Sequence, residues 1–267
     1  MRVLHPTDFS HTAELAFALA LDLSERLEGC LHLVHVQQPD PEVGLRARLA
    51  SIDAGLRRRV EDERRTQAAR QRKRLRDLAD GRASFELFWG EPLKTLIPLV
   101  SAFDLVVMGA HGHSSLDDAF LGGIAGRLVR RTATPVLTVR EQCPVDGVRR
   151  LLVATDFSEA SLGAWDFALR LAERGTLKLV LAHAVVGDGG DLEGPRSRLE
   201  TLAAGRAERL AVRQGNPLSV LPAIAQDLRA DAIVVGLPPQ RPGLILGSSA
   251  DALLRSSTMP ILSVPSR

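Results

Sequence analysis

The chain has 267 residues, 45% of them hydrophobic and 25% charged, which is enough for one large domain or two of ordinary size with proper cores. Its 34 basic and 32 acidic side chains leave a net charge of +2, so overall charge gives no pull toward nucleic acid, a membrane surface or an acidic substrate. No apolar run is long enough to span a bilayer and Met1-Arg-Val-Leu shows no signal-peptide layout, so a cytoplasmic location is expected.

In chain order, apolar patterning predicts a first strand at about residues 2–6, closed by Pro6-Thr7-Asp8-Phe9-Ser10 and followed by an amphipathic helix. A second strand is expected at about 30–36 and a third at about 84–89. Between them, Arg57-Arg58-Arg59, Arg64-Arg65 and the run from Arg70 to Arg76 could mark a patch for nucleic acid or an anionic membrane. Glu61, Asp62, Glu63 and Asp77 interleave, aromatic residues are absent, and Val60, Leu75 and Leu78 make only a sparse apolar stripe. A solvated helix is the better reading, and neither a nucleic acid nor a membrane partner is expected.

Leu105 to Val139 reads as strand, glycine loop, helix and strand. A buried strand at about 104–109 ends on Gly109-Ala-His-Gly112, and Gly122-Gly123 open a helix from Ile124 to Thr132. A strand at about 135–139 completes the unit. Glycines at a strand's carboxyl end and at a helix start let backbone N–H groups approach an anion where side chains would obstruct it.

The second half repeats the first. Leu4-His-Pro-Thr-Asp8-Phe-Ser10 returns as Leu152-Val-Ala-Thr-Asp156-Phe-Ser158, shifted by 148 residues. Gly90-Glu-Pro92 matches Gly215-Asn-Pro217, and Thr134-Pro135-Val-Leu-Thr-Val139 matches Met259-Pro260-Ile-Leu-Ser-Val264, both shifted by 125. The difference of 23 residues places an insertion in the arginine-rich segment between about Pro41 and Arg82. Strands are expected at about 150–154, 176–184, 208–213, 231–236 and 260–264, with a linker at about 141–148 around Pro144 and Gly147. The expected units are 1–140 and 149–267, each an α/β domain with a five-stranded, mostly parallel sheet covered by helices on both faces. In such sheets ligands bind beyond the carboxyl ends of strands, where Asp8 and Gly109 lie.

Pro6-Thr7-Asp8-Phe9-Ser10, together with Gly109-x2-Gly112-x9-Gly122, resembles the universal stress protein family, here as a tandem of two domains. The resemblance implies two Rossmann-like, adenine nucleotide alpha hydrolase-like domains whose last strands pair antiparallel, forming an internal pseudo-dimer. ATP-binding members carry Gly-x2-Gly-x9-Gly-Ser/Thr. By that resemblance Asp8 would face the adenine or ribose, Val36 would supply backbone contacts to the base, and Gly109, Gly112, Gly122 and Gly123 would hold ribose and phosphates. Pro6, Thr7, Met108, His111, His113 and Ile124 would belong to the same site. The implied ligand is ATP or another adenine nucleotide, with or without Mg, and the implied role is a stress-response regulator or sensor.

Both halves depart from the pattern. Gly123 stands where a Ser or Thr would donate to phosphate, although its backbone donor remains. In the second half Gly236-Leu-Pro238-Pro239 replaces the second glycine by proline, removing an N–H, while Gly247-Ser248-Ser249 keeps a helix-start anion site. Nucleotide is therefore expected in the first half, with Asp156, Gly236, Gly247, Ser248 and Ser249 forming a second site that is degenerate or selective for something smaller.

Blander roles compete. Asp8, Ser10, Asp156 and Ser158 are all suited to capping the helices that follow. His5, His32, His35, His111 and His113 invite a zinc site, but on an ideal strand His32 and His35 face opposite sides, and no metal is expected. Cys30 and Cys143 lack any CxxC spacing and read as unpaired thiols. Neither Gly-x4-Gly-Lys-Ser/Thr nor Gly-x-Ser-x-Gly occurs, so catalysis is not expected beyond slow ATP hydrolysis assisted by His111 or His113. The other function class is an interaction scaffold that uses the pseudo-dimer without ligand. A homodimer or a protein partner is left open.

Overall fold

The computed structural model describes residues 1–38, 54–110, 123–144, 146–187, 191–238 and 248–266. The first half runs β1 (Arg2–Pro6), α1 (His11–Arg26), β2 (Cys30–Gln37), α2 (Ala54–Ala79), β3 (Ser84–Trp89), α3 (Pro92–Val100), β4 (Leu105–Gly109), α4 (Ile124–Val129) and β5 (Val136–Val139). The second runs β6 (Arg150–Ala154), α5 (Glu159–Gly175), β7 (Lys178–Val185), α6 (Glu193–Ala203), β8 (Arg209–Gln214), α7 (Pro217–Asp227), β9 (Ala232–Leu237), α8 (Ser248–Ser256) and β10 (Ile261–Pro265). The expected strands are present, with small shifts that have local causes. β7 begins at Lys178 because Thr176 takes a left-handed conformation, φ 54°, to end α5. α4 stops at Val129, short of Thr132, whose hydroxyl accepts the Thr134 N–H at 3.0 Å and turns the chain into β5.

The strands make one sheet of ten, ordered β3-β2-β1-β4-β5-β10-β9-β6-β7-β8. Pairs within each half are parallel, and β5 meets β10 antiparallel with Leu137 opposite Leu262. The final strands therefore pair inside one chain, and the halves form an internal pseudo-dimer. Strand order reverses between β1 and β4, and again between β6 and β9, which fixes where a crevice opens at the carboxyl ends.

Side chains alternate across the sheet. Val3, Leu33, Val107 and Leu137 face α1, α2, α5 and α6, whose Leu19, Leu75, Trp165 and Leu199 complete one core. Leu4, Val34, Val106 and Val136 face the opposite way, onto α3, α4, α7 and α8 through Leu96, Leu128, Ile224 and Leu253. Each core runs through both halves. The repeated Gly-x-Pro motif also gains a reason. Gly90 (φ 147°) and Gly215 (φ 132°) turn the chain, and Pro92 and Pro217 start α3 and α7 at a position that lacks an N–H partner anyway.

The arginine-rich segment forms the helix α2, longer than its counterpart α6 in the second half, but it is only partly solvated. Its sparse stripe is enough to dock it, since Val60, Leu75 and Ala79 are buried. The helix also reaches the cap of α1, placing the Arg74 guanidinium 3.9 Å above the Phe9 ring.

Candidate functional site

Thr-Asp-Phe-Ser folds into the same turn in both halves. Thr7 Oγ1 accepts the Phe9 N–H at 3.0 Å, and Asp8 Oδ1 accepts from the Ser10 N–H at 3.0 Å and from its hydroxyl at 2.6 Å. Ser10 is the N-cap of α1, taking the Ala13 N–H at 3.3 Å. Thr155, Asp156, Phe157, Ser158 and Ser161 reproduce these bonds. The capping is thus done by the serines, and each aspartate braces its serine. The Phe residues make the turn, with φ 60° at Phe9 and 62° at Phe157, a left-handed conformation that costs a bulky residue on the order of 1 kcal/mol. Guanidinium and tilted ring contacts offset that cost. Phe9 lies between Arg74 and His35, and Phe157 between Arg198 and His183, with ring-to-His distances of 4.7 and 4.8 Å. His35 and His183 are held by Nδ1–H donating to the Thr7 and Thr155 carbonyls at 2.8 and 2.7 Å.

The strand-end glycines serve packing. A Cβ on Gly109 would lie 2.7 Å from Thr12 Oγ1 and 3.0 Å from the Ala13 nitrogen, so the tip of β4 fits against the first turn of α1 only without a side chain. Gly236 is tighter still, with the Ala160 carbonyl oxygen 2.1 Å from such a Cβ. Gly123 differs. It is the N-cap of α4, makes no side-chain cap, and has none of the described residues where a Cβ would stand.

These elements enclose a cavity of about 230 Å³ at the β1/β4 switch point, lined by Pro6, Thr7, Asp8, Val36, Met108, Gly109, Gly123 and Ile124 among others. Arg127, one turn into α4, also lines it and was missed in the sequence; its spacing of three from Ile124 puts the two on neighbouring positions of one helix face. The matching cavity at the β6/β9 switch point is larger, about 700 Å³, so its size does not select the smaller ligand expected of the second half. Asp156, Gly236 and Ser249 line it, joined by Ser158, Glu159, Ser161, His183 and Pro238. Ser248 begins α8. His111, Gly112, His113, Gly122 and Gly247 lie outside the described residues.

Electrostatics separate the histidines. Burial pushes His5 down to about 4 against a carbonyl bond from Nδ1–H to Val107 at 2.8 Å that works the other way, so it is neutral at physiological pH. His32 stacks on Phe103, with centroids 5.7 Å apart, and His35 meets Phe9 in a tilted ring contact, Phe9 belonging to the core on the opposite face of the sheet. Among the described residues no group of three His, Cys, Asp or Glu side chains is placed to hold a metal. Burial pushes the Cys143 thiol up to about 11, and Cys30 is an exposed free cysteine.

The repeated α/β half, the switch-point cavities and the paired last strands agree with a family-level match. The model of the universal stress protein family matches residues 1–140 and 189–265. The chain belongs to that family. A universal stress protein of Methanocaldococcus jannaschii is 22% identical over 156 residues, 53% of this chain and 95% of that protein. Another, of Mycolicibacterium smegmatis, is 29% identical over 196 residues, which is 65% of this chain and 66% of that protein. Among solved structures, a universal stress protein from Archaeoglobus fulgidus shares the fold with a TM-score of 0.77 at 18% identity, over 100% of this chain and 98% of that one. No helix among the described residues of this universal stress protein is long and apolar enough to cross a membrane.

Proposed function

We propose that this universal stress protein is a regulator that binds ATP or a related adenine nucleotide in its first half, without catalysis as its main role. The observation that carries the reading is Arg127, which faces the same cavity as Asp8 beside the Gly123 backbone. A guanidinium at the mouth supplies the charge-assisted donor that the missing Ser/Thr hydroxyl does not, and Arg suits phosphate oxygens because it offers several donors in a planar fork. A volume of about 230 Å³ lies below the roughly 300–1,000 Å³ of ordinary ligand pockets. Base and ribose would occupy the interior, near Val36 and Asp8, and the phosphates would lie outside toward Arg127 and Gly123.

The test is a calorimetric titration of MgATP into nucleotide-free protein and into Arg127→Glu. One site per chain, weakened at least about tenfold by the substitution, is the expected result. No binding to the wild-type chain would put the ligand-free scaffold reading in front, supported by the continuous sheet and shared cores.

A further inference from the structure

The second-half cavity differs from the first in size and charge for reasons that can be traced residue by residue. Strand register makes Pro6, Val36 and Met108 equivalent to Ala154, Ala184 and Val235. The 125-residue shift of the repeat, which sets Pro135 against Pro260, pairs Ile124 with Ser249 and Arg127 with Ala252. Each pair exchanges a larger side chain for a smaller one, and the cavity grows from about 230 to about 700 Å³. At that size it falls within the range of small-molecule pockets, with Leu221, Val235 and Leu253 as apolar lining.

Charge changes along with shape. Among the described residues, the charged side chains lining the first cavity are Asp8 and Arg127, one of each sign; those lining the second are Asp156 and Glu159, both acidic, with the imidazole of His183 beside them. Burial works to raise the Asp156 pKa, but hydrogen bonds from Ser158 outweigh it and hold the carboxyl below its usual range, so it is ionised at neutral pH. Pro238 contributes wall without a backbone donor. An anion entering here meets two carboxylates, whereas a cation gains them as partners.

We propose that the second-half cavity binds an organic amine with an apolar body of nucleoside size or larger, its ammonium directed to Asp156 and Glu159, and that it discriminates against phosphate esters. This site is separate from the nucleotide site of the first half.

Two probes with one body and opposite charge test it: 5′-amino-5′-deoxyadenosine and ATP, titrated by calorimetry into the full chain. The amine is expected to bind once per chain. Glu159→Gln, at an exposed helix-start position, should weaken it about fivefold, the value of losing one partly exposed ion pair. Ala184→Leu should block it by filling the floor, and Ala252→Arg, which installs the arginine of the first half, should weaken the amine and admit a second ATP. Thermal melts of each variant separate lost binding from lost fold. Two equal ATP sites in the wild-type chain would overturn the proposal. So would absence of amine binding, or amine binding indifferent to both Glu159→Gln and Ala184→Leu. The first-half reading is scored separately, by the Arg127-dependent ATP site.

Discussion

Asp251 of α8 accepts a 2.7 Å hydrogen bond from the guanidinium of Arg130 on α4, across the boundary between the two halves. Asp251 is 3% exposed and also pairs with Arg255 of its own helix. Arg130 and Arg255 are equivalent positions in the repeat, while Gly126 stands where a second acid would be, so one carboxylate serves both arginines. Asp251→Ala should lower stability by about 2 kcal/mol, less than a fully buried pair because the arginines reach solvent. Urea unfolding of Asp251→Ala, Arg130→Ala and the double variant should show non-additive losses; simple additivity would remove the bridge from the account of the seam.

His5 makes stability depend on pH. Its folded pKa of about 4 lies below the ordinary 6.5, so between these values the unfolded chain takes up a proton that the folded chain refuses. Its contribution is fully present above pH 6.5, declines as pH falls toward 4, and levels off below, about 3 kcal/mol in all. The equivalent residue in the second half is Val153, and the buried Nε2 of His5 has no hydrogen-bond partner among the described residues. His5→Val should flatten the pH dependence of the urea midpoint across this window. An unchanged slope would assign the acid sensitivity to other groups.

Gly236→Ala should cost more than Gly109→Ala. The added methyl meets backbone at Ala160 in the first case, and chiefly the Thr12 hydroxyl in the second. Backbone yields less than a side chain, so losses of about 3 and 1 kcal/mol are expected, read from chemical denaturation. Equal losses would show that α1 and α5 have the same freedom to retreat from the sheet.

Gly123→Ser adds the hydroxyl that the family pattern carries, at a position with space for it and with N-cap geometry. A gain of a few tenths of a kcal/mol in stability is expected from capping, together with tighter MgATP binding in calorimetry. Weaker binding would mean that the phosphates run elsewhere than along Gly123.

The repeat and the ten strands were legible because each rests on local signals: short β-branched runs, punctuating glycines, and motifs that return at fixed shifts; the internal antiparallel pairing was implied only by the family resemblance. The two cavities were not legible. Their difference depends on Val36 against Ala184 and Arg127 against Ala252, pairs that the shifts of 148 and 125 align; that Val36 and Arg127 line one cavity follows only from the packed layers. Arg74 was read as part of a solvated charge run, because nothing in its neighbourhood of sequence indicates that α2 returns to Phe9. The glycine pattern was legible as backbone approach; that Gly109 and Gly236 receive a helix at close range follows only from the packed layers.

Joining β5 and β10 in one chain has a consequence for how the two sites can change. Dilution separates the halves of a two-chain dimer, but a tethered pair keeps its local concentration however scarce the protein becomes. The tether also removes strict symmetry. In a dimer of identical chains every substitution appears at both sites, and a harmful change is felt twice. Here Arg127 and Ala252 are separate positions, so one crevice can wander to a new ligand while its neighbour keeps the old one.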